Sequence, residues 1–165
     1  MPPDVTSRQL VAADAPSVSQ LHARVFGPGR FARSAYRVRE GTPEVSAFCR
    51  GAFKDGRLIA ALRMTEVSIG GTPGALLLGP LAVDPAYAGQ GFGRALIAEA
   101  LDAARTKGKR LVVLVGDLPY YGRYGFQAVP PGQIRLPGPV NPARILAAEL
   151  APDVLGSYRG LVAAR

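Results

Sequence analysis

The sequence predicts an α/β fold: a mixed, mostly antiparallel sheet with helices on both of its faces. An Asp-Gly pair between two strand-like segments near residue 55 indicates a β-hairpin. A strand, a helix and a strand then follow in order over residues 75–115, which indicates a parallel pair joined by a right-handed crossover. Because the chain has 165 residues and 48% of them are hydrophobic, we expect a single domain spanning residues 1–165.

The N-terminal part predicts one strand and two helices. Val5–Val11 has the composition of an opening strand, and Asp14 is a candidate N-cap for the helix that follows. The residues at helical spacing in that helix are Val18, Leu21, His22 and Val25. Gly27-Pro28-Gly29 ends the helix, and the arginine-rich residues 30–40 predict a second, short one.

An antiparallel meander comes next. Residues 45–53 and 57–67 flank Asp55-Gly56, a pair that favours the two-residue turn of a hairpin. The pairs Gly70-Gly71 and Pro73-Gly74 predict a further turn before the third strand of the meander.

The best-defined elements lie in the middle of the chain. Residues 75–83 form a nearly continuous apolar run, which is typical of a central strand buried on both faces. Residues 91–107 predict a helix with one apolar stripe, and 110–115 predict another buried strand. The stripe consists of Leu96, Ile97, Ala100, Leu101 and Ala104.

The C-terminal third gives weaker signals. A short tyrosine-bearing helix is expected after Gly116–Pro119, followed by a strand at 126–129. The segment 130–142, rich in proline and glycine, predicts loop with one short strand around Ile134. Residues 145–150 fit either a strand or a short helix, and the last fifteen residues carry no decisive pattern.

Composition narrows the function classes. The net charge of +8 suits an anionic small ligand or nucleic acid. The arginines are scattered without interleaved aromatics, which favours a basic soluble surface, so nucleic acid is not an expected partner. The N-terminus lacks the pattern of a signal peptide, and no apolar run approaches the roughly 18 residues of a membrane span. With a single cysteine, we expect a cytoplasmic protein with no membrane partner.

A glycine-rich loop is the most informative feature. The apolar run ends at Asp84-Pro85, and glycines then alternate at 89, 91 and 93 before a helix begins. Glycines let backbone N–H groups approach a ligand closely, and the start of a helix adds positive potential. The N–H groups of residues 89–94 could therefore bind a diphosphate. A tight turn without a ligand is the alternative, and three alternating glycines favour the ligand.

Three segments carry a family resemblance. They are Leu81-Ala82-Val83-Asp84-Pro85, Gly89-Gln90-Gly91-Phe92-Gly93-Arg94-Ala95-Leu96 and Tyr121-Gly122-Arg123-Tyr124-Gly125-Phe126. In sequence and spacing they resemble the GNAT superfamily of acetyl-coenzyme-A-dependent N-acetyltransferases, and most of all its small bacterial members. The match is strong over residues 75–128 and looser from residue 5 onward.

The resemblance implies a fold and a cofactor. The strands at 75–83 and 110–115 would be the two central parallel strands, with a V-shaped opening between them. Acetyl-CoA would be the acyl donor, with its pantetheine arm beside the first of these strands. A backbone N–H of Leu81 or Ala82 would polarise the thioester carbonyl. The predicted cofactor-binding residues are Leu81, Ala82, Val83, Gly89, Gln90, Gly91, Phe92, Gly93, Arg94, Ala95 and Arg123.

The chain departs from the family pattern at two places. Ala88 stands where the family usually has Gln or Arg, a side chain that helps the loop hold the diphosphate. Gly116-Asp117 stands where many members carry an Asn that binds the cofactor.

Tyr121 is the candidate general acid. A tyrosine with a pKa near 10 can protonate a departing thiolate of similar basicity, and the family position supports this role. The alternative is a purely structural aromatic cluster with Tyr120, Tyr124 and Phe126, and Tyr120 is the competing acid.

Asp117 is the candidate base, ranked ahead of Glu66 and Glu149. A cap for the following short helix is the alternative role of Asp117, and water alone could also carry the proton away. We expect no metal site, because the chain has no Cys/His cluster. We assign Cys49 to the core and His22 to a packing or surface role.

The predicted activity is acetyl transfer from acetyl-CoA to a primary amine of a small molecule or peptide, by direct attack. A non-catalytic acyl-CoA sensor and a nucleic-acid binder are the alternatives. A dinucleotide oxidoreductase is disfavoured, because Leu96 stands where a G-x-G-x-x-G motif needs its third glycine. Arg30, Arg33 and Arg37 could border the acceptor cleft or cover a surface helix, and the surface helix is favoured. Dimers are common among such enzymes, so a homodimer is compatible with the resemblance.

Overall fold

The computed structural model describes residues 2, 4–27, 38–42 and 45–165. The helices are α1 (Ala15–Phe26), α2 (Phe92–Thr106) and the single turn α3 (Leu118–Tyr121). The strands are β1 (Val5–Gln9), β2 (Arg50–Lys54), β3 (Arg57–Ile69), β4 (Thr72–Val83), β5 (Leu111–Val115), β6 (Gln127–Ala128), β7 (Ile134–Arg135), β8 (Ile145–Glu149) and β9 (Gly160–Ala164).

The strands form a mixed, mostly antiparallel open sheet. Its order is β1-β2-β3-β4-β5-β8-β6, and β9 pairs with the far end of β3 and with β7. Within the described residues, only the β4–β5 and β7–β9 pairs are parallel. The strand–helix–strand series therefore builds a parallel pair, as predicted, and the predicted fold class is confirmed.

Helices cover both faces of the sheet, as the packing of β4 shows. Successive residues of a strand point to opposite sides of its sheet. Leu81 and Val83 pack on the side of α2, whereas Ala82 packs in the cluster that contains Val18 and Leu21 of α1. Helix α2 follows its predicted bounds closely and buries all five residues of the predicted stripe.

The central strands separate after a short stretch of pairing. Within the described residues, β4 and β5 pair only from Ala75 to Leu77 and from Leu111 to Val113, although β4 continues to Val83. The two strands therefore open into a V beyond Leu77. Backbone hydrogen bonds would otherwise join the two strands here. Their absence beyond Leu77 leaves space between the strands.

A bulge lies on β4 within this opening. Leu62 pairs with Leu81 and Met64 pairs with Leu78, so two residues of β4 lie opposite the single residue Arg63. Such bulges interrupt the ladder and redirect the strand. Here the bulge contains Gly79 and Pro80, and proline has no N–H to donate to a ladder.

The Asp-Gly hairpin is confirmed, with both Asp55 and Gly56 at positive φ between β2 and β3. The predicted strand at 45–53 is too long, because β2 begins only at Arg50. Residues 46–49 instead form a turn, in which Cys49 N donates to Ser46 O.

The predicted turn before β4 is confirmed at Gly70-Gly71, but it does not extend to Pro73-Gly74. Gly70 and Gly71, both at positive φ, complete the reversal by themselves, since Ile69 and Thr72 already pair. Pro73 and Gly74 therefore lie inside β4.

The structure decides between the alternatives that the sequence left open for the C-terminal third of the chain. Residues 145–149 form a strand that pairs with β5, and the last residues form β9 against Val67–Ile69 of β3. The predicted strand at 126–129 shrinks to Gln127–Ala128, whereas the short strand at Ile134 is confirmed. The helix predicted at 30–40 lies mostly outside the described residues. No helix in the described part is long and apolar enough to cross a membrane.

Candidate active site

The glycine-rich loop leads into the start of α2, where the first backbone amides of the helix lie. Gly91 is the N-cap of α2 and has a φ of +85. The N-cap makes no side-chain hydrogen bond to the first turn of the helix. The first helical hydrogen bond runs from Ala95 N to Gly91 O at 3.1 Å. The amides of Phe92, Gly93 and Arg94 therefore have no carbonyl acceptor within the helix. Positive φ at Gly89 and Gly91 makes this path one that glycine adopts without strain.

A cavity of about 280 Å³ opens over these amides. Its lining residues are Leu81, Val83, Tyr87, Ala88, Gly89, Gln90, Gly91, Phe92, Gly93, Arg94 and Tyr120. Eight of the predicted cofactor-binding residues meet here: Leu81, Val83 and the six residues 89–94. The loop and the end of β4 therefore form one concave surface.

Three predicted cofactor residues do not line this cavity. The side chain of Ala82 is buried on the α1 side of the sheet, so only its backbone could contact a ligand. The amide of Ala95 is committed to Gly91. The guanidinium of Arg123 stacks over the Tyr120 ring, 5.3 Å from its centroid.

Glycine at position 93 avoids a close side-chain contact, and its backbone angles do not require glycine. A Cβ at this position would lie 3.2 Å from Leu81 Cδ2 and 3.4 Å from Tyr120 Oη. The helix start therefore packs closely against the end of β4, and any side chain at 93 would push them apart.

A second cavity, of about 350 Å³, fills the V between the splayed strands. Its lining residues are Phe26, Arg39, Leu78, Gly79, Pro80, Leu81, Leu114, Val115, Tyr121, Pro139, Val140, Asn141 and Arg144. Leu81 lines both cavities, so they adjoin at that residue. The amides of the loop lie on one side of Leu81 and the V cavity lies on the other.

Tyr121 lines the V cavity and is held there by aromatic contacts. Its ring meets those of Tyr120 and Phe126 edge-on, with centroids 4.8 Å and 5.8 Å away. A Cβ at Gly116 would lie 2.5 Å from Tyr121 Cε2. Glycine at 116, one of the departures from the family pattern, thus leaves the space that the Tyr121 ring occupies.

The two candidate acids occupy different cavities. Tyr120 lines the loop cavity, whereas Tyr121 lines the V cavity. Burial raises the pKa of Tyr120 above its usual value, and the neighbouring Tyr124 adds to this effect. Tyr121 is therefore the candidate that faces the space between the strands.

Asp117 lies beside the V cavity rather than in its lining. Its side chain is 75% exposed and pairs with Arg144 at 3.4 Å. It occupies the N-cap position of α3 but makes no side-chain cap bond there. The other two carboxylates have partners elsewhere: Glu66 accepts from Lys109, and Glu149 accepts from the Leu155 amide.

Asp84 anchors the chain just before the loop. It is only 7% exposed, accepts from Ala86 N at 3.0 Å and lies near Arg24 of α1 and Arg57 of β3, at 3.4 and 3.6 Å. The Asp-Pro pair at the strand end could have signalled this anchor.

Three polar residues of the V cavity were missed from sequence: Arg39, Asn141 and Arg144. Arg39 lies about a hundred residues before Asn141 and Arg144 in the chain, and no local motif marks any of the three, so only the tertiary structure brings Arg39 to the other two. Cys49 is 1% exposed, as predicted for a core residue, and the burial of His22 favours packing over a surface role. Of the surface-helix arginines, Arg30, Arg33 and Arg37 lie outside the described residues.

Comparisons with known proteins agree with this geometry. A family model described as an acetyltransferase (GNAT) domain matches residues 6–129. The N-acetyltransferase YhbS of Escherichia coli, named as uncharacterized, is 29% identical over 153 residues, which cover 92% of this chain and 91% of that protein.

Two solved structures are similar along nearly the whole chain. The crystal structure of Escherichia coli YhbS in complex with CoA has a TM-score of 0.82 at 29% identity, covering 98% of this chain and 90% of that one. A GNAT family acetyltransferase from Brucella melitensis in complex with acetyl-CoA has a TM-score of 0.74 at 28% identity, covering 98% and 96%. The family model spans most of the chain, and the chain therefore belongs to the GNAT acetyltransferase family.

Proposed function

We propose that this protein transfers an acetyl group from acetyl-CoA to a primary amine by direct attack. The observation that carries the proposal is the junction of the two cavities at Leu81. One cavity offers unpaired amides suited to a diphosphate, and the other offers Tyr121 and room for a second substrate. The CoA and acetyl-CoA complexes of the two similar structures support the choice of cofactor.

The diphosphate of acetyl-CoA would bind at the start of α2. The residues from Gly89 to Arg94 line the loop cavity. Their backbone N–H groups would bind the diphosphate, and the positive end of the helix dipole favours phosphate. Ala88 adds only a methyl group, so the backbone carries this binding. The pantetheine arm would then run along β4 past Val83 toward Leu81.

The reaction would take place in the V. The amine nitrogen attacks the thioester carbonyl carbon, and the backbone N–H of Leu81 or Ala82 stabilises the oxyanion that forms. The C–S bond then breaks, and Tyr121 gives its proton to the departing CoA thiolate. The nitrogen loses its second proton as the amide forms, and this proton would restore the Tyr121 hydroxyl through water.

Asp117 is the proposed acceptor of the proton that the ammonium must lose. Its carboxylate is largely exposed and pairs with Arg144, which lines the cavity. The proton would reach it through water at the mouth of the V. An unchanged rate in the Asp117→Asn variant would assign this proton to solvent instead.

Ligand-dependent unfolding tests the cofactor assignment. Acetyl-CoA and CoA should each raise Tm, because a ligand at about 100 times its Kd stabilises the native state by about 2.7 kcal/mol. NADH should have no effect. Stabilisation by NADH alone would contradict the proposal and favour the dinucleotide alternative.

Thiol release over a panel of amines tests catalysis separately. CoA release that depends on an amine is expected. Binding of acetyl-CoA without release for any amine would favour the non-catalytic sensor.

A further inference from the structure

We propose that the hydroxyl of Tyr120 binds the diphosphate of acetyl-CoA, together with the backbone amides at the start of α2. The inference rests on the proposed acetyl transfer and adds a binding residue to that site. Tyr120 lines the loop cavity, whereas the candidate acid Tyr121 lines the V cavity. The two adjacent tyrosines would therefore act on different parts of the same cofactor.

The Tyr120 hydroxyl lies beside the start of α2. A Cβ built on Gly93 would lie 3.4 Å from Tyr120 Oη and 3.2 Å from Leu81 Cδ2. The hydroxyl is thus close to the backbone of one of the three residues whose amides have no acceptor within the helix. It is also close to Leu81, at which the two cavities adjoin. A cofactor that runs from the loop to the V would pass this point.

The loop itself offers few side-chain donors to a diphosphate. Between residues 88 and 93, only Gln90 has a side chain that can donate a hydrogen bond. Tyr120 adds a donor from a different element, since it belongs to α3. A diphosphate has several acceptor oxygens, so a hydroxyl from α3 can bind beside the amides without competing with them.

The surroundings of the Tyr120 hydroxyl favour an anion. Burial raises the pKa of Tyr120 and outweighs the opposing charges of Arg123 and Arg94, so the hydroxyl keeps its proton at neutral pH and can donate it. The Arg123 guanidinium stacks over the ring, 5.3 Å from its centroid. Among the residues that the structure describes, neither arginine forms an ion pair with a carboxylate. A hydrogen bond from the hydroxyl to phosphate would therefore form between two cations.

The Tyr120 ring is held in place before any ligand arrives. It meets the rings of Tyr121 and Tyr124 edge-on, with centroids 4.8 Å and 5.9 Å away. A hydroxyl can donate one hydrogen bond and accept others, so a contact with the neighbouring Tyr124 is compatible with donation to phosphate. Binding would thus require little ordering of this side chain.

The variant Tyr120→Phe removes the hydroxyl and keeps the ring. The Kd of CoA, measured by isothermal titration calorimetry, should rise about 5-fold or more, because a hydrogen bond to a charged group is lost at a side chain that is 36% exposed. KM for acetyl-CoA should rise by a similar factor, while kcat stays within about 2-fold. Tyr124→Phe removes a hydroxyl from the same cluster that lines neither cavity, and it should leave the Kd within about 2-fold.

Truncated ligands locate the contact on the cofactor. The Kd of 3′-dephospho-CoA, which keeps the diphosphate, should rise in Tyr120→Phe by the same factor as that of CoA. S-acetylpantetheine has no phosphate, so its kcat/KM with a given amine should agree within about 2-fold between the variant and the unaltered protein. A loss that persists with S-acetylpantetheine would place the hydroxyl on the pantetheine arm. A loss seen with CoA and not with 3′-dephospho-CoA would place it on the 3′-phosphate. Either result would overturn the inference.

Two further results would also overturn it. One is an unchanged Kd of CoA in Tyr120→Phe, and the other is a large fall in kcat at unchanged Kd, which would make Tyr120 the acid. Both leave the transferase assignment intact, provided that the unaltered protein binds CoA and releases thiol in an amine-dependent reaction. Absence of CoA binding to the unaltered protein would overturn this inference and the proposed function together.

Discussion

At the scale of single residues, the two adjacent tyrosines of α3 have different surroundings. Tyr121 faces the V between the central strands, whereas Tyr120 contributes to the loop cavity at the start of α2. A one-residue step along a helix turns the side chain by about 100°, so adjacent residues can line different cavities. Of the two, only Tyr121 lines the cavity in which the proposed transfer would release the thiolate.

The variant Tyr121→Phe should therefore lower kcat by about 100-fold, because it removes the proposed proton donor and keeps the ring. KM for acetyl-CoA should change little. Tyr124→Phe, which removes a hydroxyl from the same aromatic cluster outside both cavities, is the matched control and should keep near-normal kcat. A larger loss of kcat in Tyr120→Phe than in Tyr121→Phe would transfer the role to Tyr120.

Gly116→Ala tests how the Tyr121 ring is positioned. The added Cβ would meet Tyr121 Cε2 at 2.5 Å, so the ring must move. We expect kcat to fall by about 10-fold or more, with Tm shifts on acetyl-CoA binding preserved, because the loop amides are untouched. Gly122→Ala, where the nearest atom would lie 3.6 Å away, is the control on the same segment. Equal effects of the two variants would contradict the positioning argument.

At the scale of elements, the site depends on how β4 connects to α2. The strand ends at Val83, and Asp84 then ties the turn to α1 and β3 through Arg24 and Arg57. A buried carboxylate that both accepts an amide hydrogen bond and meets two cations fixes the direction in which the chain leaves the sheet. The glycine loop starts from this fixed point.

Asp84→Ala should destabilise the fold by about 1–3 kcal/mol, because it removes the bond from Ala86 N and leaves two arginines without their partner. KM for acetyl-CoA should rise, since the loop loses its anchor. Urea unfolding and initial rates measure the two effects. Asp102→Ala, an exposed carboxylate on α2 paired with Arg105, should change stability by less than about 0.5 kcal/mol. An equal change in both would mean that Asp84 is not an anchor.

At the scale of the whole molecule, the charge of +8 acts on any anionic ligand. CoA carries a diphosphate and a 3′-phosphate, so the protein attracts it over distances beyond direct contact. Salt screens this attraction, with a Debye length that falls from about 10 Å at 0.1 M to about 3 Å at 1 M.

KM for acetyl-CoA should therefore rise several-fold between about 0.05 and about 0.5 M NaCl, as checked by initial rates at fixed amine. KM for a small amine without an anionic group, such as butylamine, should change less over the same range. This comparison provides the internal control. A KM for acetyl-CoA that is independent of salt would mean that the backbone amides alone determine affinity.

Much of this molecule follows from local patterns. The Asp-Gly hairpin, the apolar stripe of α2 and the glycine loop each depend on a few neighbouring residues, and each forms as predicted. Errors arose where a local pattern had two readings. Pro73-Gly74 could turn the chain, but Gly70 and Gly71 had already done so. Residues 45–49 could extend a strand, but Ser46 and Cys49 close a turn.

The sequence by itself therefore determined the order of the elements over residues 75–121, the glycine-rich loop before α2 and the position of the tyrosine segment, since these depend on short-range backbone chemistry. Tertiary structure alone decided where β4 and β5 part, and which of Tyr120 and Tyr121 faces the gap. It also decided that Arg39 and Arg144, far apart in the chain, line one cavity. Such arrangements depend on the packing of distant segments, which no local pattern encodes.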